Sequence, residues 1–279
     1  MRMVILLVAG LLALPAAAAE PDGSLTRLLT LAEARPWAAV GRVNVAGVGF
    51  CTGTLIAPDK VLTAAHCLIH PRTGKPVAPD RIHFLAGFRK GSFLAHRTVR
   101  RYAIHHDYDP HSGRPDALVR ADVAVLELDS AVGVNAARPF ERARRPRTGD
   151  PVTLISYARE RSQVPSIQEP CHVLARRGRI LVLSCEVNFG SSGAPVFVRD
   201  AARPKVAALI SAMTTWHGRK VAISIDLSPV LDEVLQAIAT SDPRFQTVSA
   251  ETGRLSLRER LGRQEATSLR KVSRPPASP

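Results

Sequence analysis

Short apolar segments separated by turn residues extend through most of this chain of 279 residues. Valine, leucine, isoleucine and alanine recur in these segments, and clusters of Gly, Pro, Asp and Asn separate them, which is typical of short β-strands and not of long helices. The strand candidates are residues 37–45, 50–56, 60–64, 81–86, 97–105, 122–128, 152–157, 171–175, 180–185, 194–198, 206–213 and 220–225. Their number and close spacing predict an all-β sandwich or barrel.

The two ends of this strand-rich region have a different character. We expect a short helix within residues 25–34. Near the other end, Ser228 is a helix-capping residue type, Pro229 suits a first helical position, and the apolar residues that follow repeat at helical spacing. These signals predict a closing helix over residues 229–239. Residues 241–279 are polar, basic and proline-terminated, which predicts a mostly disordered tail.

Residues 1–19 have the layout of a secretory signal peptide. Arg2 precedes an apolar stretch from Val4 to Leu14, and a run of small residues ends at Ala19, after which we expect cleavage. An N-terminal membrane anchor is the alternative, but the apolar stretch is short for a bilayer. We therefore expect an exported protein, periplasmic or secreted, with no transmembrane segment after cleavage. Residues 20–36 would then be a lead-in or a short propeptide.

The chain is strongly basic, with a formal net charge of +14 at pH 7. Arginines cluster within residues 142–147 and 176–179. Because export separates the protein from nucleic acid, we expect no nucleic-acid partner, and an anionic envelope surface is the better electrostatic partner for these basic patches. The alternative is that the arginines only keep the surface solvated.

Four cysteines follow the predicted signal peptide: Cys51, Cys67, Cys171 and Cys185. An even number in an exported chain predicts two disulfides, for which the sequence alone allows three pairings. A zinc site is the alternative, but these cysteines lack the closely spaced ligand pairs that zinc sites use.

A histidine follows three small residues in Thr63-Ala64-Ala65-His66-Cys67, shortly after Gly49-Phe50-Cys51-Thr52-Gly53-Thr54. The small residues allow the backbone to turn tightly beside a nucleophile. This arrangement resembles the histidine box of chymotrypsin-like serine proteases, and the resemblance implies that His66 is the general base. Together with proximity in sequence, it also suggests the disulfides Cys51–Cys67, which would fix His66, and Cys171–Cys185.

Two further segments carry the same resemblance. Asp122 leads the apolar segment 123–128, as in the family's aspartate strand, where a buried carboxylate fixes the tautomer of the histidine. The segment 188–195 reads Asn-Phe-Gly-Ser-Ser-Gly-Ala-Pro and resembles the nucleophile loop. Its spacing favours Ser192 over Ser191 as the nucleophile, and it implies an oxyanion hole made by the backbone N–H groups of Gly190 and Ser192.

The resemblance covers about residues 37–239 and is closest to bacterial secreted trypsin-like and glutamyl-endopeptidase-like proteases. It implies an all-β protease domain at 37–240, built as two packed six-stranded antiparallel β-barrels of the chymotrypsin type, at about 37–135 and 136–227, with the C-terminal helix. It also implies hydrolysis of polypeptide substrates through an acyl-enzyme on Ser192, with a triad of His66, Asp122 and Ser192 and with no cofactor or metal. Ser191 stands where animal enzymes have an Asp, so activation by a buried new amino terminus has no partner here.

Substrate preference is the least constrained part of the prediction. Glu186 lies six residues before Ser192, where trypsin-like enzymes have the acidic base of the specificity pocket, so we expect a modest preference for Arg or Lys before the scissile bond. Ser211 is predicted to bind substrate together with Glu186. Glutamyl-endopeptidase-like enzymes use a histidine instead, and His217 is the candidate for that alternative, which would favour acidic residues.

Three other hypotheses remain. An α/β-hydrolase is disfavoured because the serine segment is not Gly-x-Ser-x-Gly and the crossover helices are missing. A catalytically silent envelope-binding protein on a protease fold is the main alternative function. The histidine-rich segment 105–111 offers metal-ligating side chains, but crowded ligands are common in loops and we expect no metal there.

Overall fold

Two closed antiparallel β-barrels make up most of the protein. The computed structural model describes residues 21–199, 203–228, 230–240, 242 and 245–250. The strands are β1 (Thr26–Arg27), β2 (Val40–Val45), β3 (Gly49–Ala57), β4 (Lys60–Thr63), β5 (Ile82–Ala86), β6 (Ala95–Ile104), β7 (Ala124–Leu128), β8 (Pro151–Ser156), β9 (Ser166–Arg177), β10 (Ile180–Leu183), β11 (Pro195–Val198), β12 (Lys205–Trp216), β13 (Arg219–Asp226) and β14 (Gln246–Ser249). The helices are α1 (Leu31–Ala34), α2 (Pro115–Ala121) and α3 (Val230–Thr240). The predicted signal peptide and residues 251–279 of the predicted tail lie outside the described residues.

Each barrel has six strands. In the first, β2, β3, β4, β7, β6 and β5 pair in that order, and β5 closes on β2. In the second, β8, β9, β10, β13, β12 and β11 pair in that order, and β11 closes on β8. The prediction of two six-stranded antiparallel barrels of the chymotrypsin type is therefore confirmed. Closure leaves few free strand edges, which suits a chain with so many short strands.

The barrels are joined by an aromatic cluster and by polar contacts at the mouth of the cleft between them. Phe197 of β11 contacts the tilted ring of Trp37 and packs edge-on against Phe140, with ring centroids 5.2 and 4.6 Å away. The Tyr157 hydroxyl, just after β8, donates a 2.7 Å hydrogen bond to the Phe88 carbonyl, just after β5. Aromatic pairs of this kind add to the stabilisation that burial provides, so they help to hold the two barrels together.

The helices follow from local signals. The side chain of Thr30 accepts a hydrogen bond from the Glu33 amide and that of Glu33 accepts one from the Thr30 amide, which forms a capping box at the start of α1. Helix α3 confirms the predicted closing helix and buries its apolar stripe of Val230, Leu231, Val234, Ala237 and Ile238. No helix among the described residues is long and apolar enough to cross a membrane.

The predicted tail boundary at 241 is wrong for residues 245–249. Strand β14 pairs antiparallel with β6 over Gln246–Ser249, and Phe245 is buried against His105 and His106. These few residues are too polar to signal a strand, and the β6 edge that they complete lies about 140 positions earlier in the sequence. Helix α2 was not predicted either.

Candidate active site

His66 lies in a short 3₁₀ turn, Ala65–Leu68, that directly follows strand β4. Ala64 and Ala65 are fully buried, so small side chains are required where the turn passes beneath the cleft. The disulfide Cys51–Cys67 links this turn to β3, and Cys171–Cys185 links β9 to the residue before Glu186. Both pairings agree with the predicted ones, and the first attaches the histidine turn to the barrel wall.

Asp122 holds His66 through two hydrogen bonds. Its Oδ1 accepts the backbone N–H of His66 at 2.8 Å, and its Oδ2 lies 2.7 Å from His66 Nδ1. Burial lowers the pKa of His66, but the charge and hydrogen bond of Asp122 outweigh it, so the net pKa is raised. The arrangement fixes the orientation of the ring and stabilises a positive charge on it.

Asp122 reaches this position because helix α2 ends immediately before it. The backbone N–H of Asp122 donates to the Val119 carbonyl, and Val123 then leads into β7. The carboxylate is almost fully buried. Ser211 of β12 donates its hydroxyl to Asp122 Oδ2 at 2.5 Å. The hydroxyl of Ser211, which the sequence analysis predicted to bind substrate, is thus engaged with the Asp122 carboxylate.

The two adjacent serines of the nucleophile loop have different surroundings. Ser191 is buried, and its hydroxyl contacts the Tyr157 carbonyl at 3.3 Å, the Asn188 amide at 3.3 Å and Arg161 Nη2 at 3.4 Å. Ser192 is partly exposed and lines a cleft of about 290 Å³ together with His66 and Gly190. Only the second serine is accessible to a substrate in the cleft.

The loop also presents two free backbone donors. Within the described part of the chain, the N–H groups of Gly190 and Ser192 have no hydrogen-bond partner, whereas that of Gly193 donates to Ile210 at 2.7 Å. Gly190 has φ +98°, and a Cβ there would lie 2.5 Å from the Phe50 ring, so only glycine fits. These are the two donors that the resemblance implied for an oxyanion hole.

Thr52 of the first barrel anchors this loop of the second barrel. Its N–H donates to the Ser192 carbonyl at 2.9 Å, and its hydroxyl donates to the Gly190 carbonyl at 2.9 Å. The Tyr157 amide donates to the same hydroxyl at 3.1 Å.

Among the described residues, Ser192 Oγ makes no hydrogen bond to His66, whose Nε2 lies 3.8 Å from Cys67 Sγ. Catalytic hydrogen bonds often tighten only when substrate binds.

Arg161, a buried residue that was not predicted from the sequence, contacts the nucleophile loop. Arg161 is 5% exposed and donates through Nη1 to the Ser156 carbonyl at 2.8 Å, while its Nη2 faces Ser191. Burial lowers the pKa of this guanidinium, and Glu160 and Glu186 counteract the effect. In the sequence Arg159-Glu160-Arg161 looks like a solvated charge run, and no local signal marks the buried member.

A second cavity, of about 590 Å³, lies beside the nucleophile loop. It is lined by Leu25, Glu160, Arg161, Cys185, Glu186, Val187, Asn188, Met213, Thr214, Thr215, Lys220 and Val221. Glu186 is exposed, and its backbone N–H donates to Gln168 Oε1 at 2.7 Å. His217 lies in the β12–β13 turn against Trp216 and is not among the described residues that line this cavity.

The histidine-rich segment 105–111 lies outside the cleft. His105 is buried, its Nδ1 accepts the Asp107 amide at 3.2 Å, and its Nε2 lies 3.3 Å from Glu233 Oε2 of α3. His106 stacks on His105, and Phe245 packs edge-on against both rings. A metal at His105 Nε2 would require a proton on Nδ1, where the Asp107 amide now donates, so these contacts favour a structural role.

Comparisons with known proteins agree with this geometry. The protein-family model described as "Trypsin-like peptidase domain" matches residues 51–203, more than half of the chain. Coagulation factor XII of Sus scrofa is 39% identical over 79 residues, which cover 26% of this chain and 12% of that protein. Two solved structures share the fold. A Glu endopeptidase has a TM-score of 0.65 and 16% identity, with 81% of this chain and 100% of that chain covered. The protease Anisep from Arthrobacter nicotinovorans has a TM-score of 0.60 and 13% identity, with 78% and 100% covered.

Proposed function

Because the chain belongs to the trypsin-like peptidase family, we propose that it is a serine endopeptidase that cleaves polypeptides through an acyl-enzyme on Ser192. The observation that carries the proposal is the 2.7 Å contact between His66 Nδ1 and the buried Asp122 Oδ2, because His66 lines the same cleft as the partly exposed Ser192. The two free N–H groups of the nucleophile loop supply the remaining part of such a site.

The chemistry needs only these groups. His66 Nε2 removes the Ser192 hydroxyl proton as Oγ bonds to the scissile carbonyl carbon, and the carbonyl oxygen takes the negative charge. The N–H groups of Gly190 and Ser192 stabilise this oxyanion; losing one such donor typically costs about 10²- to 10³-fold in rate. His66 then gives its proton to the leaving amine, and a water molecule hydrolyses the ester by the same steps in reverse order.

Asp122 supports this sequence without itself taking the proton. Its negative charge stabilises the imidazolium that exists between the two proton transfers, in agreement with the raised pKa of His66. The hydrogen bond from Ser211 satisfies a lone pair of the same carboxylate, which is otherwise almost fully buried. A buried charge that lacked such partners would be costly.

We propose that Glu186 lies in the pocket for the residue before the scissile bond. Its carboxylate is exposed and makes no ion pair among the described residues, whereas Arg161 of the same cavity is bonded to Ser156 and faces Glu160. An unpaired carboxylate favours a cationic side chain. Lys220 also lines the cavity, so the preference for Arg or Lys is expected to be modest.

Export and envelope contact are further proposals. Two disulfides are stable in an oxidising compartment, in agreement with the signal-like residues 1–19. Within the basic cluster 142–147, Arg142 pairs with Asp232 and Arg145 with Asp226, while Arg144 and Arg147 are exposed. The exposed members are the ones that would meet an anionic surface.

Reaction with a fluorophosphonate probe tests the function, because only an activated serine reacts quickly. We expect the probe to label the protein, and tryptic mapping should place the label on Ser192. The alternative is a catalytically silent binding protein, and the observation that favours it is that His66 and Ser192 are not hydrogen-bonded to each other. This alternative predicts no labelling above that of heat-denatured protein. Label on Ser191 would contradict the assignment of the nucleophile.

A further inference from the structure

The residues that precede the first barrel are built into the second one. We call residues 22–28 the lead strand. Asp22 Oδ1 accepts the Ser184 hydroxyl at 2.6 Å and lies 2.8 Å from His172 Nδ1. Strand β1 within the lead strand pairs antiparallel with β9, and the buried Leu28 donates its amide to the Pro165 carbonyl at 2.9 Å. The segment is therefore attached along its whole length.

The lead strand approaches β9 so closely that one position must be glycine. Gly23 donates its N–H to the Pro170 carbonyl at 2.7 Å. A Cβ at this position would lie 2.1 Å from the Glu169 carbonyl oxygen, closer than any real contact. The fit is that of a permanent strand and not of a loosely attached leader.

One buried amide connects the lead strand to the nucleophile loop. Gln168 of β9 is 2% exposed, and its Nε2 donates to the Gly23 carbonyl at 3.0 Å. Its Oε1 accepts the backbone N–H of Glu186 at 2.7 Å. If the lead strand were absent, the side-chain amide of Gln168 would lose its Gly23 partner, and an unsatisfied buried polar group is unfavourable. The same side chain thus contacts both the lead strand and the backbone of Glu186.

The lead strand also supplies part of the cavity wall. Leu25 is partly buried and lines the 590 Å³ cavity together with Glu186 and Met213. Arg27, two residues later, donates to the Glu160 carbonyl at 3.2 Å, so the strand is fixed on both sides of this wall. A side chain that enters the cavity would contact Leu25.

We propose that the lead strand is a permanent, specificity-determining element of the protease, and that it is not part of a removable propeptide. Leu25 limits the size of the substrate side chain accepted before the scissile bond, and Gln168 is a positioning residue that holds Glu186 at that pocket. The proposal rests on the proposed peptidase function. It implies that the active enzyme keeps residues 22–28, and that cleavage within them changes substrate preference before it affects the serine chemistry.

Leucines within and just beyond the lead strand provide a matched test. Leu25→Ala enlarges the pocket, so the ratio of kcat/KM for Phe over Ala before the scissile bond should rise about tenfold, the usual range for a few methylenes in a pocket. Leu25→Phe should lower the same ratio. Leu29→Ala is the control, because Leu29 is 54% exposed and does not line the cavity. A Leu25→Ala profile equal to that of Leu29→Ala would overturn the proposal.

Gln168→Met removes both hydrogen bonds at nearly constant volume. The preference for Arg over Leu substrates should fall several-fold, through KM, while the rate of fluorophosphonate labelling stays within about twofold of the parent. If Gln168 had only a structural role, fluorophosphonate labelling and peptide cleavage would fall together in this variant. That result would also overturn the proposal. A parent protein that neither labels nor cleaves refutes the proposed function itself, whereas an active parent with unchanged Leu25 variants refutes only this inference.

Discussion

The hydroxyl of Ser211 lies 2.5 Å from Asp122 Oδ2 and shares that oxygen with the imidazole of His66. Ser211→Ala should therefore lower kcat by about tenfold, because the carboxylate loses a charge-assisted hydrogen bond of typically about 1.5 to 3 kcal/mol. Ser224→Ala is the matched control, since Ser224 is fully buried in the same barrel and its hydroxyl has no hydrogen-bond partner among the described residues. Steady-state kinetics of the two variants provide the measurement. An equal change of kcat in both variants would contradict a role for Ser211 in supporting Asp122.

Replacement of the triad residues should separate them from their neighbours. Ser192→Ala and His66→Ala should each abolish peptidase activity, by about 10⁶-fold, and Asp122→Ala should be somewhat milder. Ser191→Ala should retain substantial activity because its hydroxyl is buried beneath the loop. Turnover of a reporter peptide gives the rates, and retained turnover in the Ser192 variant would refute the assignment.

Activity should depend on pH through His66. The neutral imidazole is the base, so kcat/KM should rise as the pH rises through the pKa of His66. Because Asp122 raises that pKa, the midpoint should lie above the usual value of about 6.5 for histidine. Asp122→Asn should move the midpoint to lower pH. A midpoint that stays constant in this variant would show that Asp122 does not control His66.

Substitution of Glu186 tests the proposed substrate preference. In Glu186→Gln the pocket loses its exposed carboxylate, so cleavage after Arg should fall several-fold while cleavage after Leu stays nearly constant. Glu160→Gln is a useful comparison, because Glu160 lines the same cavity but already contacts Asn188 and Arg161. Reporter peptides with Arg, Glu or Leu before the scissile bond provide the measurement. An unchanged cleavage profile would show that Glu186 does not contribute to the specificity pocket.

The C-terminal boundary of the folded domain can be located by truncation. A variant that ends at residue 250 keeps strand β14 and every described contact, so its melting temperature should match that of the parent. A variant that ends at residue 240 loses β14 and Phe245 and should be clearly less stable. Phe245→Ala alone should cost about 3 kcal/mol, because the ring is buried. Equal stability of the three variants would show that this strand contributes nothing.

Features with local signals could be predicted from the sequence alone. Alternating short apolar runs specify strands, the box around His66 and the loop around Ser192 each lie within a few consecutive residues, and Ser228 with the apolar repeat after it specifies α3. The pairing of the four cysteines, which the sequence alone left open among three possibilities, was suggested by the family resemblance and by proximity, since the bonded cysteines lie 16 and 14 positions apart. These elements require no information about distant parts of the chain.

Contacts between groups that are distant in sequence could not be predicted and became visible only in the folded protein. The bond between Ser211 and Asp122 joins residues 89 positions apart, and that between Gln168 and Gly23 joins residues 145 apart. Strand β14 and the lead strand exist because β6 and β9 offer backbone groups to residues far away in the sequence. The folded barrels place backbone groups of β6 and β9 where these segments can pair with them, and they bury Arg161. No local run of residues records either outcome.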